Sequence, residues 1–193
     1  MGLNPTLVLA SSSPRRRDLL ARLGVAPARI ASPDIDETPR KGEVPRVYAL
    51  RMAEEKAQAV SRAAHEIIIA GDTTVAVGRR ILPQAADADM QRGFLTLLSG
   101  RRHHVLSAVA VIDADGRLRS RICDSIVRFK RLSVQEIDSY IESKEGLGKA
   151  GGYAIQGRAE ALIDWMAGSH SGVVGLPLYE TRALLRASGF PLD

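Results

Sequence analysis

Glu66-Ile67-Ile68-Ile69-Ala70-Gly71-Asp72-Thr73 is the stretch on which the fold turns. This short run of β-branched apolar residues predicts the clearest strand of the chain, ending at Gly71-Asp72. Working upstream, residues 44–64 carry a helical pattern with Pro45 near its start, and residues 28–32 are a further apolar stretch before a Pro-bounded polar loop at 33–39. Further back, residues 6–10 predict a strand, and Ser13-Pro14 opens a helix that Gly24 stops after about residue 23. Downstream, helices are expected at 87–98 and 133–142, with a hairpin of 103–112 and 118–130 around Asp113-Ala114-Asp115-Gly116. A glycine-rich stretch at 146–157, an apolar run at 161–166 and a helix at 177–187 complete the chain. Strands alternating with helices predict an α/β fold, and the hairpin makes its twisted sheet mixed and flanked by helices.

Composition bounds the function. At 193 residues, 45% hydrophobic and 25% charged, the chain suits one globular domain over 1–193 and excludes disorder, collagen and coiled coil. Its net charge of +5 favours an anionic partner without choosing among phosphate, nucleotide, nucleic acid or an acidic surface. No apolar run reaches membrane-spanning length, and Met1-Gly2-Leu3-Asn4-Pro5 lacks a signal-peptide pattern, so a cytoplasmic location with no membrane partner is expected. The single Cys123 can form no internal disulfide.

Four groups of residues could carry chemistry. Ser11-Ser12-Ser13-Pro14-Arg15-Arg16-Arg17 puts basic residues at a helix N-terminus whose dipole opposes them, so either an anion sits there or the arginines are solvated. The carboxylates Asp34, Asp36, Glu37 and Asp72 follow strands and could hold a hard cation such as Mg²⁺, or serve as turn residues. Lys56 falls on the apolar stripe of Ala49, Ala53, Val60 and Ala63; it either snorkels to the edge or reaches a phosphate. In the glycine-rich stretch, Gln156 can read a base edge with its paired donor and acceptor.

Other patterns mislead. Gly146-Leu147-Gly148-Lys149-Ala150-Gly151 matches the dinucleotide fingerprint but follows a helix, and Ser143 stands where a Walker loop needs its first glycine. Gly168-Ser169-His170-Ser171-Gly172 looks like a nucleophile elbow, though no strand-to-helix setting is expected for it. The four histidines have no metal-ligand spacing.

Taken together the motifs resemble the Maf family of nucleoside triphosphate pyrophosphatases, once described as septum-formation inhibitors. The match runs through Leu9-Ala10-Ser11-Ser12-Ser13-Pro14-Arg15-Arg16, Asp36-Glu37, Arg51 with Lys56, Gly71-Asp72-Thr73, Leu98-Ser99-Gly100 with His103, Lys149 to Gly157, and Val173-Val174-Gly175-Leu176-Pro177-Leu178. The resemblance implies an ITPase-like mixed α/β fold with a central cleft, a divalent cation (Mg²⁺ or Mn²⁺), and hydrolysis of a nucleoside triphosphate to monophosphate and pyrophosphate. It implies Asp72 as proton acceptor, with Arg16, Thr73 and Gln156 associated with base selection. Ser-Pro-Arg-Arg together with Ile155-Gln156-Gly157 looks like the branch acting on dTTP and UTP. The main departure is Gln84, which stands where the family usually has a lysine; Ser107 and Gly172 are smaller ones. One cation fewer is then expected in the cleft, unless Arg79, Arg80 or Lys149 reaches in.

The expected site is therefore Asp72 as catalytic residue, Glu37 and Asp72 toward the metal, and Ser11, Ser13, Arg15, Arg16, Lys56, Thr73 and Gln156 toward the substrate. A nucleoside triphosphate is the expected partner, nucleic acid is not, and a homodimer is allowed. The rival is a non-enzymatic regulator that binds nucleic acid or a cell-division protein through its basic surface. Against it, the three Phe, four Tyr and one Trp do not flank the arginine run as a stacking platform.

Overall fold

The computed structural model describes residues 5–192; residues 1–4 and 193, and with them most of the segment read as lacking a signal peptide, lie outside the described residues. In chain order the elements are β1 (Thr6–Leu9), α1 (Pro14–Ala21), β2 (Arg29–Ile30), α2 (Pro45–Gln58), β3 (Glu66–Val77), β4 (Arg80–Leu82) and α3 (Ala88–Leu98). The hairpin β5 (Arg102–Ile112) and β6 (Leu118–Phe129) follows, then α4 (Val134–Glu142), a 3-10 turn, β7 (Ile163–Ala167), α5 (His170–Val174) and α6 (Leu178–Ala187). One seven-stranded sheet is ordered β2-β1-β3-β5-β6-β7 with β4 on β3. β1 is parallel to β2 and β3, and the remaining pairs are antiparallel, so the sheet is mixed as expected. Among the described residues no helix is long and apolar enough to cross a membrane.

The alternation along β3 sorts the core. Ile68 and Ala70 join Val8, Leu106, Ala108 and Ala110 under Ala49, Ala53 and Ala57 of α2, where small side chains let the helix lie close to the sheet. Ile67 and Ile69 face the opposite way, against Leu19 and Leu20 of α1, Leu95 and Leu98 of α3, and Leu184 and Leu185 of α6. The buried leucines each contribute about 1.5 to 3 kcal/mol through lost apolar exposure.

Three boundaries differ from the sequence-based expectation. β3 does not stop at Gly71-Asp72 but continues to Val77, because β5 pairs with it as far as Ala76↔His104 and β4 pairs at Val75, Ala76 and Val77. The polar Asp72 and Thr74 tolerate this burial by bonding to each other. Helix α2 ends at Gln58, not near residue 64: Val60 folds back into the core and Ala63 turns onto Glu66, whose Oε2 accepts from its amide at 2.9 Å. Helix α1 ends at Ala21, and residues 22–24 form a turn closed by Gly24 at φ +70°.

This sheet leaves a gap. β1 pairs with β3 only up to Leu9↔Ile69, and β4 takes the same edge only from Val75. Between them β1 leaves the sheet through Ser11–Ser13 into α1, opening a crevice at its carboxyl end, where parallel strands commonly place ligands.

Candidate active site

A cleft of about 650 Å³ fills that crevice. Asp72 borders it from β3, on the face that meets α2, and is 6% exposed. Its Oδ2 accepts from Thr74 Oγ1 at 2.9 Å and its Oδ1 from Lys56 Nζ at 2.8 Å. The ammonium also meets Glu37 Oε2 at 3.0 Å. Lys56 therefore neither snorkels to the edge nor points freely at the cleft: two carboxylates hold it, because at its depth an unpaired ammonium would carry a large desolvation cost. One N–H donates to Asp72 Oδ1, and Glu37 is held as an ion pair.

Glu37 lies in the loop before α2, tied back at several points. Tyr48 Oη donates to the Glu37 carbonyl at 2.8 Å, and Arg51 Nη2 donates to the Thr38 carbonyl at 3.2 Å. Arg51 in turn makes a two-pronged bond to Glu43 at 2.7 and 2.6 Å, which pulls the Glu43 carboxyl down to about 2. Asp36 is exposed and accepts from the Thr38 amide at 2.9 Å, the turn role allowed for it. Asp34, likewise exposed, does not border the cleft.

The opposite wall is cationic. Arg16 Nε donates to the Gly175 carbonyl at 2.9 Å and its Nη1 to Ser11 Oγ at 2.9 Å, fastening α1 to the α5–α6 connection. Burial lowers the Arg16 guanidinium from its usual range; Asp72 pulls it back up, and Arg15 pushes it down again. Arg15 and Lys149 line the same cleft with no side-chain partner among the described residues. Burial lowers both, and Arg15 lowers Lys149 further. Three neighbouring cations, two of them unpaired and partly desolvated, make a site that a polyanion would relieve. Ser13 caps α1 with its backbone only, its amide donating to Ser11 Oγ at 3.2 Å, while Arg17 is exposed. Thr73 points to the face opposite Asp72, and its buried Oγ1 has no partner.

The glycine-rich stretch forms the far rim. Gly151, at φ +68°, brings the backbone against Val75, where a side chain would collide. Beneath the rim, Tyr153 Oη meets His103 Nε2 at 2.7 Å, and Tyr140 Oη accepts from the Ala154 amide at 3.0 Å. Gln156 is exposed and borders the cleft.

All the expected site residues, Ser11, Ser13, Arg15, Arg16, Glu37, Lys56, Asp72, Thr73 and Gln156, thus border one cleft. Gln84 borders it too, bridged through its backbone to Ala150, whereas Arg79 turns outward to the Gly42 carbonyl at 3.4 Å. Sequence reasoning missed Glu145, whose place in the cleft depends on contact with the distant Gly157. It also misjudged residues 168–172, which do run from the end of a strand, β7, into a helix, α5. The middle residue is nevertheless His170, and Ser169 Oγ spends itself capping the Gly172 amide at 3.0 Å. The departures Ser107 and Gly172 touch, the serine hydroxyl donating to the glycine carbonyl.

For a divalent cation, Glu37 and Asp72 are two carboxylates brought together by the Lys56 ammonium at 3.0 and 2.8 Å, and their remaining lone pairs would meet the metal beside that ammonium; no group of three His, Cys, Asp or Glu converges among the described residues. Such hard oxygen donors fit Mg²⁺ or Mn²⁺ when phosphate and water complete the shell.

Fold and site together define an α/β protein whose polyanion cleft places unpaired cations across from a buried carboxylate. The chain belongs to the Maf family: the Maf-like protein family model matches residues 6–188. It is 65% identical over 188 residues to the dTTP/UTP pyrophosphatase of Sphingopyxis alaskensis, covering 97% of this chain and 99% of that one. The dTTP/UTP pyrophosphatase of Novosphingobium aromaticivorans is 61% identical, covering 96% and 93%. Among solved structures, a HAM1 protein from Coxiella burnetii aligns at 17% identity with a TM-score of 0.49, covering 95% of this chain and 99% of that chain.

Proposed function

We propose that this protein hydrolyses nucleoside triphosphates, dTTP and UTP in particular, to the monophosphate and pyrophosphate. The observation that carries this is the pairing, in one cleft, of the partnerless Arg15 and Lys149 with the buried Asp72 carboxylate. A triphosphate bears about four negative charges, and charge builds on the leaving pyrophosphate as the bond breaks, so fixed cations stabilise the transition state more than the ground state. Arg15, Arg16 and Lys149 line the phosphate side, and Lys56, which donates one hydrogen bond to Asp72, keeps N–H capacity for a phosphate oxygen. Asp72 orients a water and takes its proton as the water oxygen bonds to the α-phosphorus; the bond to the bridging oxygen breaks and its electrons leave with pyrophosphate. Glu37 and Asp72 are the residues that would hold Mg²⁺ or Mn²⁺, which when bound neutralises charge on the phosphates.

Thr73 lines the cleft and has a hydroxyl without a partner, and Gln156 is exposed at the rim, which places these two residues toward sugar and base. Base choice follows the activity for which the relatives are named, on dTTP and UTP. The test is a panel of dTTP, UTP, CTP, GTP and ATP assayed for pyrophosphate with Mg²⁺ and with chelator. Preferential, metal-dependent release from dTTP and UTP supports the proposal; release from none of them contradicts it.

A further inference from the structure

Glu145 follows α4 and reaches the cleft through an unusual contact. Gly157 has no side chain, and a Cβ there would overlap the Glu145 carboxylate, which lies directly on the glycine backbone. In that position Oε2 accepts the Arg158 amide at 2.7 Å. Oε1 has no donor among the described residues, and no Lys or Arg nitrogen comes within ion-pair reach of the carboxylate although Arg15 and Lys149 line the same cleft. Glu145 lies against Gly157, the residue that follows Gln156, and all three line the cleft. The result is an acceptor-only group with a free lone-pair face, anchored by one backbone amide on the same cleft as the Gln156 carboxamide, which both donates and accepts.

We propose that Glu145 is a specificity-determining residue that reads the base: Oε1 accepts the N3–H of thymine or uracil while Gln156 donates to a flanking carbonyl. This rests on the pyrimidine triphosphate reading above. In uracil and thymine N3 carries a hydrogen between two carbonyls, whereas in cytosine N3 is a bare acceptor. Against a carboxylate the first forms a charge-assisted hydrogen bond and the second sets lone pair against lone pair. Sites built around such a hydrogen bond reject substrates that lack it far more strongly than size alone allows.

Glu145→Gln separates this role from a purely structural one. The Arg158 amide needs an acceptor, so the new carboxamide oxygen occupies the Oε2 position and its NH₂ turns to the cleft, where it suits cytosine N3 and opposes N3–H. The kcat/KM ratio of dTTP over dCTP is expected to fall by at least about tenfold, with the melting temperature unchanged. Binding of dTMP and dCMP by calorimetry follows the same ratio if turnover is too slow to measure. A variant that stays folded and keeps the parental ratio, whether at parental or uniformly lower rates, overturns the assignment of Glu145. Failure of the parent to release pyrophosphate from any triphosphate overturns the functional proposal instead.

Discussion

Lys56 Nζ stands 2.8 Å from Asp72 Oδ1 with Glu37 Oε2 3.0 Å away, so one ammonium ties the exposed Glu37 of the loop to the buried Asp72 of β3. The Lys56 and Asp72 side chains are each 9% exposed. Removing one partner of such a pair leaves a buried charge with nothing to offset it, which costs about 3 kcal/mol or more. Lys56→Met is expected to lower urea-unfolding stability by that amount and to depress turnover. Adding Asp72→Asn to it should recover much of the stability, since the orphaned charge is then gone.

The three arginines of α1 should separate cleanly. Arg15 has no side-chain partner, so Arg15→Ala costs no native contact and lowers kcat/KM by about tenfold to 100-fold, the worth of a charge-assisted phosphate contact. Arg16→Ala should lower activity and melting temperature together, because Arg16 also ties Ser11 to Gly175. Arg17 is exposed and only 3.8 Å from Asp18, and its alanine variant should match the parent in both measurements. Equal small effects at all three positions would point to a solvated cluster.

Gln84 sits on the rim beside Lys149, with a neutral amide where the Maf resemblance leads one to expect a lysine. A glutamine can donate a hydrogen bond but cannot offset charge on departing pyrophosphate. Steady-state kinetics on Gln84→Lys should show kcat/KM raised by roughly tenfold, and Gln84→Ala should change little. Loss of most activity in the alanine variant, with no gain from lysine, would mean the amide itself has a role.

His103 makes stability depend on pH. It is 1% exposed, and burial pushes it down from 6.5 to about 4. Below about pH 6.5 the unfolded chain takes up a proton that the folded protein refuses. Stability is therefore full above that pH and declines as pH falls toward about 4, by about 3 kcal/mol in all. Urea midpoints measured from pH 7.5 to 5 should fall, and His103→Gln, which can still bond Tyr153 Oη, should flatten that slope.

Much of this was legible in the residues. Ile67, Ile68 and Ile69 reveal the central strand because β-branched residues in a short run have few other uses, and Ser133 with Glu136 announces α4 through a reciprocal capping box. The run from Gly71 to Val77 hides its strand character, since Asp72 and Thr74 look like turn residues until Lys56 arrives from α2 to partner them. The end of α2 was illegible for a related reason: residues 59–64 contain no stop signal, and Val60 leaves the helix to fill the core. The cleft residues could be gathered from motifs, but not their pairings. Nothing local says that Lys56 serves two carboxylates or that Glu145 leans on Gly157, twelve positions away.

The most direct test is product analysis with the parent and Asp72→Asn on dTTP in the presence of Mg²⁺. The parent should yield one pyrophosphate and one dTMP per dTTP consumed, and the variant should remain folded while turning over at least about 10²-fold more slowly, as expected for a lost proton acceptor. Release of orthophosphate and dTDP, or an Asp72→Asn rate within about tenfold of the parent, would contradict the account.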